Sequence, residues 1–63
     1  MNEPTKIEFE EKYNVTISDE AFDYLKTFLW EICCDRNRKE FDKALKNCNV
    51  QELVDHCESK FQK

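Results

Sequence analysis

Five side chains of this sequence could bind a metal ion or act as nucleophiles. They are Cys33, Cys34, Cys48, Cys57 and His56. Structural zinc sites favour C-x2-4-C pairs on turns, which allow several ligands to converge. This chain offers instead an adjacent cysteine pair, a lone Cys48 and a histidine next to a cysteine. The spacing therefore favours cysteines that pack as small apolar side chains in a helical core, and we expect no metal or other cofactor.

The spacing of the same residues also argues against catalysis. Asp55, His56 and Cys57 are consecutive, and successive side chains on a helix diverge, so the three cannot form a relay as neighbours. Cys33 or Cys48 could meet His56 only through tertiary folding. The sequence contains no glycine, which phosphate-binding loops and dinucleotide fingerprints require. We therefore expect no enzymatic activity.

The cysteines are predicted to stay reduced. The chain begins with Met1, has no apolar run long enough for a signal peptide or a membrane span, and is 38% charged, which is typical of a complete cytoplasmic product. Thiols remain reduced in that compartment. Adjacent Cys33 and Cys34 on a helix would also point about 100° apart, which suits no common disulfide framework.

Charge is distributed unevenly along the chain, whose net charge is −4. Residues 1 to 35 hold nine acidic and three basic side chains, whereas residues 36 to 63 hold seven basic and five acidic ones. The acidic half could face a basic partner or mimic nucleic acid, although most such runs are solvated faces. A helix-turn-helix interpretation is weakened by Glu52, Asp55 and Glu58 on its recognition helix, because they would repel phosphate. We expect no nucleic-acid partner.

Apolar and polar side chains alternate over about residues 6 to 17. One face carries Ile7, Phe9, Tyr13, Val15 and Ile17, and this alternation predicts a β-strand. The alternative is a helical turn through EFEEKY, in which Phe9 and Tyr13 lie four residues apart. The strand is preferred because it places more apolar side chains on one face. Since a lone strand leaves its backbone groups unpaired, we expect it to pair with the same strand of a second copy.

Ser18 offers an N-cap, and the residues after it predict a helix over about residues 19 to 35. At about 100° per residue, the apolar side chains of this helix fall within one broad arc. The arc consists of Ala21, Phe22, Leu25, Phe28, Leu29, Ile32 and Cys33. Trp30 lies far from its centre. We expect the arc to pack within the subunit and Trp30 to pack on a partner.

A second helix is predicted over about residues 39 to 61, with Asp35 or Asn37 as its cap. Its apolar stripe changes sides after Cys48. One explanation is a break near residues 47 to 49, with Asn49 as a new N-cap and Glu52 at position N3. The other is a continuous rod that buries opposite faces along its length, which requires another chain.

A chain of 63 residues buries a small core and usually needs disulfides, a metal or oligomerisation. We therefore predict an α+β fold in which residues 1 to 63 form one domain of an intertwined homodimer. One strand per chain pairs across the dimer, and helices from both chains share the core. The predicted dimer interface consists of Ile7, Phe9, Tyr13, Val15, Ile17, Phe28, Leu29, Trp30, Leu53, Val54 and Phe61.

The opening KIEFEEKYNVTISDEAFDYL, the segment WEICCDRNRKEF and the length of 63 residues resemble the early protein encoded between the exonuclease and excisionase genes of lambda-like temperate bacteriophages. The resemblance implies a dimeric early phage protein in the host cytoplasm that promotes lytic development by acting on a host or phage regulatory protein. It implies no catalytic residue, and it favours the continuous second helix. The alternative function is a small acidic regulator that binds or mimics nucleic acid.

Overall fold

The fold is all-helical across the residues described by a computed structural model, which are 3 to 61. Helix α1 spans Lys6–Tyr13, and α2 spans Asp19–Leu25 and continues directly into a π-helical segment, Lys26–Cys33. Helices α3 and α4 span Arg38–Lys46 and Val50–Ser59. Helix α2 packs against α4, and the π-helical segment packs against α3.

The predicted strand over residues 6 to 17 is wrong, because both ends of α1 are capped. The Thr5 hydroxyl accepts the Glu8 N–H at 3.2 Å, and Asn14 ends the helix in the left-handed conformation with φ 55°. Phe9 and Tyr13 contact each other with ring centroids 5.3 Å apart, as the helical alternative predicted. Of the five alternating apolar residues, Ile7 is 69% exposed, so the alternation does not mark a buried face.

The segment after α1 is extended, but its backbone is satisfied inside the chain. The Val15 N–H donates to the Glu10 carbonyl at 3.1 Å, and the Ile17 N–H donates to the Glu10 carboxylate at 3.0 Å. The second bond holds the pKa of Glu10 below its ordinary value. The Ser18 N–H donates to the Glu58 carboxylate at 2.8 Å. Because these N–H groups already have acceptors within the chain, they are not available to a partner strand. The predicted α+β fold, in which strands of two chains pair across an intertwined dimer, is therefore wrong, and the fold is all-helical over residues 3 to 61.

The predicted start of the helix after Ser18 is confirmed. The Ser18 hydroxyl accepts the Ala21 N–H at 3.2 Å and donates to the Glu58 carboxylate at 2.9 Å. The same residue therefore caps α2 and joins its first turn to α4.

The predicted buried arc of this helix is correct in α2 and wrong in the π-helical segment. There the N–H of Cys34 bonds to the carbonyl of Leu29 five residues earlier, at 2.8 Å. The wider turn makes side chains five residues apart share a face, so that Leu25 and Trp30 are both buried. Ile32, in contrast, is 72% exposed. Trp30, which was expected to face a partner, packs edge-on against Phe41 with ring centroids 5.5 Å apart.

A tight turn connects the π-helical segment to α3. Asp35 and Arg36 have φ of 50° and 58°, and the Arg36 N–H donates to the Trp30 carbonyl at 2.8 Å. The Asn37 side chain then accepts the N–H groups of Lys39 and Glu40. The prediction of Asn37 as a helix cap is therefore confirmed.

The second predicted helix is broken, and the continuous rod is wrong. Helix α3 ends at Lys46, and the Asn49 side chain caps α4 by accepting the Glu52 N–H at 3.2 Å. The break reorients α4, so the two opposite apolar stripes reach one core. Phe41 of α3 and Val54 of α4 are each 1% exposed. The buried side chains that form this core are Phe9, Ile17, Ala21, Phe22, Leu25, Trp30, Cys34, Phe41, Leu45, Val54 and Cys57.

We predict a large and a small effect on stability when two residues of the π-helical segment are truncated. Trp30→Ala removes a buried ring and should lower the free energy of unfolding by about 3–5 kcal/mol. Ile32→Ala changes an exposed side chain and should alter it by less than about 0.5 kcal/mol. Urea unfolding followed by circular dichroism measures both. A larger loss for Ile32→Ala than for Trp30→Ala would show that the segment has the α-helical register.

Asn49→Ala tests the break between α3 and α4. Loss of the cap should lower the free energy of unfolding by about 1 kcal/mol. Inside a continuous helix the same change would be stabilising by up to about 0.7 kcal/mol, because alanine has the higher helix propensity. The sign of the change in urea unfolding therefore distinguishes the two arrangements, and a stabilised variant would contradict the break.

Candidate protein-binding surface

The predicted interface residues fall into three classes of exposure. Four belong to the core of the single chain: Phe9, Ile17, Trp30 and Val54. Five are half-buried: Tyr13, Val15, Phe28, Leu29 and Leu53. Ile7 and Phe61 are exposed. Their role between chains stays a prediction. Of the exposed members, Ile7 lies on α1 and Phe61 lies after the end of α4, so the two do not share one strand.

An apolar row lies on the outer side of α2 and the π-helical segment. Tyr24, Phe28 and Ile32 follow each other at intervals of four residues, and Phe61 lies beside Tyr24 after the end of α4. The Tyr24 and Phe28 rings are 5.1 Å apart, and those of Tyr24 and Phe61 are 6.1 Å apart. Ile32 is 72% exposed and Phe61 43%. We call these four residues the apolar row.

Carboxylates lie along one side of the apolar row and at its end. Asp23 and Glu31 each precede a member of the row by one residue, and Glu20 precedes Tyr24 by four; all three are exposed. Glu31 has one distant ion pair with the exposed Arg36, at 3.8 Å. Neither Glu20 nor Asp23 has an ion pair with another described residue. We call these three residues the acidic border.

Lys26, on the same helix, compensates the charge of the acidic border only in part. The Lys26 ammonium bonds to the Glu3 carboxylate at 2.7 Å. This hydrogen bond raises the pKa of Lys26 and lowers that of Glu3. The negative charges of Asp23 and Glu31 raise the pKa of Lys26 further, so its positive charge is shared between Glu3 and the acidic border.

A shallow groove of about 260 Å³ lies on the other side of the apolar row, between the π-helical segment and α3. Its lining consists of Leu29, Cys33, Cys34, Glu40, Lys43, Ala44 and Asn47. Leu29 and Cys33 each follow a member of the apolar row by one residue, so the groove adjoins the row. It is smaller than a typical small-molecule site of roughly 300–1,000 Å³ and suits one or two side chains of a binding partner.

The basic side chains of residues 36 to 63 are partly used in contacts within the chain. The Arg38 guanidinium bonds to Glu8 of α1 at 2.9 Å and to Asp42 at 3.1 Å. Lys12 of α1 also pairs with Asp42, at 3.4 Å. These contacts attach α1 to α3 and remove Arg38 from the set of exposed cations.

The thiols are free and differ in their surroundings. Cys33 and Cys48 are exposed, whereas Cys34 and Cys57 are buried, and burial raises the pKa of both buried thiols. His56 is exposed beside buried Cys57, so the two side chains diverge. No group of three or more histidine, cysteine, aspartate or glutamate side chains within residues 3 to 61 could hold a metal ion.

Comparison with protein-family models, curated proteins and solved structures finds no match to this chain. The resemblance to the early phage protein therefore stays a prediction. Among the described helices, none has the length and apolar character needed to cross a membrane.

The sequence did not indicate the groove or the pairing of the apolar row with the acidic border. Both depend on the π-helical turn, which a pattern analysed at about 100° per residue does not detect. The available signal was the sequence spacing of Asp23 with Tyr24 and of Glu31 with Ile32. This spacing alone does not show that Ile32 is exposed.

Thiol labelling should separate the cysteines into two classes. The thiolate is the reacting form, so the exposed Cys33 and Cys48 should alkylate with iodoacetamide rapidly, and the buried Cys34 and Cys57 should alkylate at least about tenfold more slowly. Peptide mass spectrometry after timed quenching measures the four rates, and the unfolded protein provides the control. Equal rates for Cys33 and Cys34 in the folded protein would contradict the orientation of the π-helical segment.

Proposed function

We propose that this chain is a non-enzymatic binding protein that acts through the apolar row and the adjoining groove. The observation that carries the proposal is the 72% exposure of Ile32 beside a fully formed core. The helix buries the larger Trp30 and leaves Ile32 outward, next to half-buried Phe28. Single exposed apolar residues are ordinary on protein surfaces, but a row of exposed and half-buried ones that continues into a groove is typical of interaction sites. π-Helical turns also occur frequently at functional sites.

The biological setting that we propose comes from the resemblance. In that setting the chain is an early phage protein in the host cytoplasm, and it promotes lytic development by binding a host or phage regulatory protein. The small size, the acidic charge and the apolar row are compatible with a protein that acts by contact. The predicted homodimer remains part of this proposal, but the strand that was expected to bring Ile7 into its interface is absent from residues 3 to 61. The apolar row is proposed as the surface for the regulatory partner.

The alternative of nucleic-acid binding receives less support. Helix α4, the former candidate recognition helix, exposes Glu52 and Asp55, and its Glu58 is bonded to Ser18. Arg38 is bonded to two carboxylates. A surface of this kind would lose affinity for phosphate through repulsion.

An infection assay with matched variants tests the proposed function. Ile32→Asp places a charge in the apolar row, whereas Ile7→Asp makes the same change on α1 at a residue of nearly equal exposure, 69% against 72%. Expressed in cells infected by a lambda-like temperate phage, the wild type and Ile7→Asp should lower the fraction of lysogens. Ile32→Asp should return that fraction to the value without the protein.

Circular dichroism provides the folding control, since both positions are exposed and neither variant should lose helicity. If wild-type protein leaves the lysogen fraction unchanged, the regulatory role is wrong. If Ile32→Asp is as active as Ile7→Asp, the apolar row is not the binding site.

A further inference from the structure

We infer that the partner presents a basic amphipathic helix, whose apolar side chains pack on the apolar row while its lysines or arginines face the acidic border. This inference rests on the proposed function, because it names the partner of the same surface. It goes further by fixing the secondary structure and the charge of the partner.

The spacing of the apolar row suits a helix. Tyr24, Phe28 and Ile32 follow each other along about two turns of their helix. A docking helix presents its own apolar anchors at positions i, i+4 and i+7 over a comparable length. Leu29 and Cys33 form the near wall of the adjoining groove, which accommodates an additional side chain of the docked helix.

The charge of the surface favours a basic partner. Glu20, Asp23 and Glu31 lie on the same outer side, and among residues 3 to 61 the one cation within 4 Å of any of them is Arg36, beside Glu31. Lys26 interacts with Asp23 and Glu31 at longer range, but its closest carboxylate is that of Glu3. Positive side chains on a docked helix would therefore meet carboxylates whose charge is only partly compensated, and the complementarity would raise the rate of association and disfavour acidic partners.

A second copy of this chain does not offer the matching surface. Its most basic helix is α3, which carries Lys39, Lys43 and Lys46 on the outside, but the apolar side chains of that helix, Phe41 and Leu45, are each 1% exposed. Helix α1 exposes Ile7, but Glu8 and Glu11 flank it. No helix within the described residues combines an exposed apolar stripe with a basic border, so the occupant is a different protein.

Designed peptides test this inference with the full-length protein. The first peptide is a helix with leucine at i, i+4 and i+7 and lysine elsewhere. The second replaces each lysine by glutamate, and the third keeps the composition of the first but scrambles the order so that the apolar stripe is lost. Calorimetric titration at low salt should show binding of the first peptide at least about tenfold tighter than that of the other two. Added salt should weaken this binding.

Variants separate the two parts of the surface. Ile32→Asp should weaken binding of the leucine-lysine peptide at least about tenfold, whereas Ile7→Asp should leave it unchanged. The double charge reversal Asp23→Lys and Glu31→Lys should weaken the leucine-lysine peptide and strengthen the leucine-glutamate peptide. Glu11→Lys on α1 is the matched control, because Glu11 is exposed and has no ion pair with a described residue.

Three results would overturn the inference. They are equal binding of the lysine and glutamate peptides, binding of the scrambled peptide as tightly as the first, and binding that Ile32→Asp leaves intact. Sedimentation equilibrium adds a fourth: a dimer of the wild type that Ile32→Asp dissociates would assign the apolar row to a second copy. If the peptides fail while the infection assay still depends on Ile32, the proposed function stands and the basic-helix partner is wrong.

Discussion

The burial of Trp30 against Phe41 is the interaction on which the rest of the structure depends. The two rings join the π-helical segment to α3, and the Trp30 carbonyl also accepts the Arg36 N–H that closes the following turn. That turn holds Asp35 and Arg36 at positive φ, a conformation that disfavours residues other than glycine by about 1–2 kcal/mol each. Burial of a large aromatic side chain offsets a cost of this size.

The exposed surface is a consequence of the same packing. With one more residue in each hydrogen-bonded turn, the face that contains Leu25 continues through Trp30 and Cys34 instead of Leu29 and Ile32. Ile32 therefore joins Tyr24 and Phe28 on the outside, next to Asp23 and Glu31. The helical register that completes the small core thus also exposes the apolar row beside the acidic border. The proposed binding role depends on this register.

Local signals in the sequence predicted what depends on local bonds. Ser18, Asn37 and Asn49 are N-caps as expected, because a capping side chain bonds within three residues of itself. The break before α4 was recognisable from its asparagine and from the change of apolar phase. The strand prediction was wrong because the apolar alternation takes no account of the two residues that cap α1. Thr5 lies before the alternation, and Asn14 is one of its polar positions. The π-helical register depends on contacts between Trp30 and Phe41 across the fold, which no local pattern contains.

Nuclear Overhauser spectroscopy of the protein in solution tests the π-helical register most directly. We expect cross-peaks between the Trp30 indole and the Phe41 ring, and none between the Ile32 methyl groups and Phe41 or Leu45. We also expect the Cys34 amide to be hydrogen-bonded, to the Leu29 carbonyl. Cross-peaks from Ile32 to Phe41 or Leu45, together with a solvent-exposed indole, would contradict the π-helical register and the binding surface derived from it.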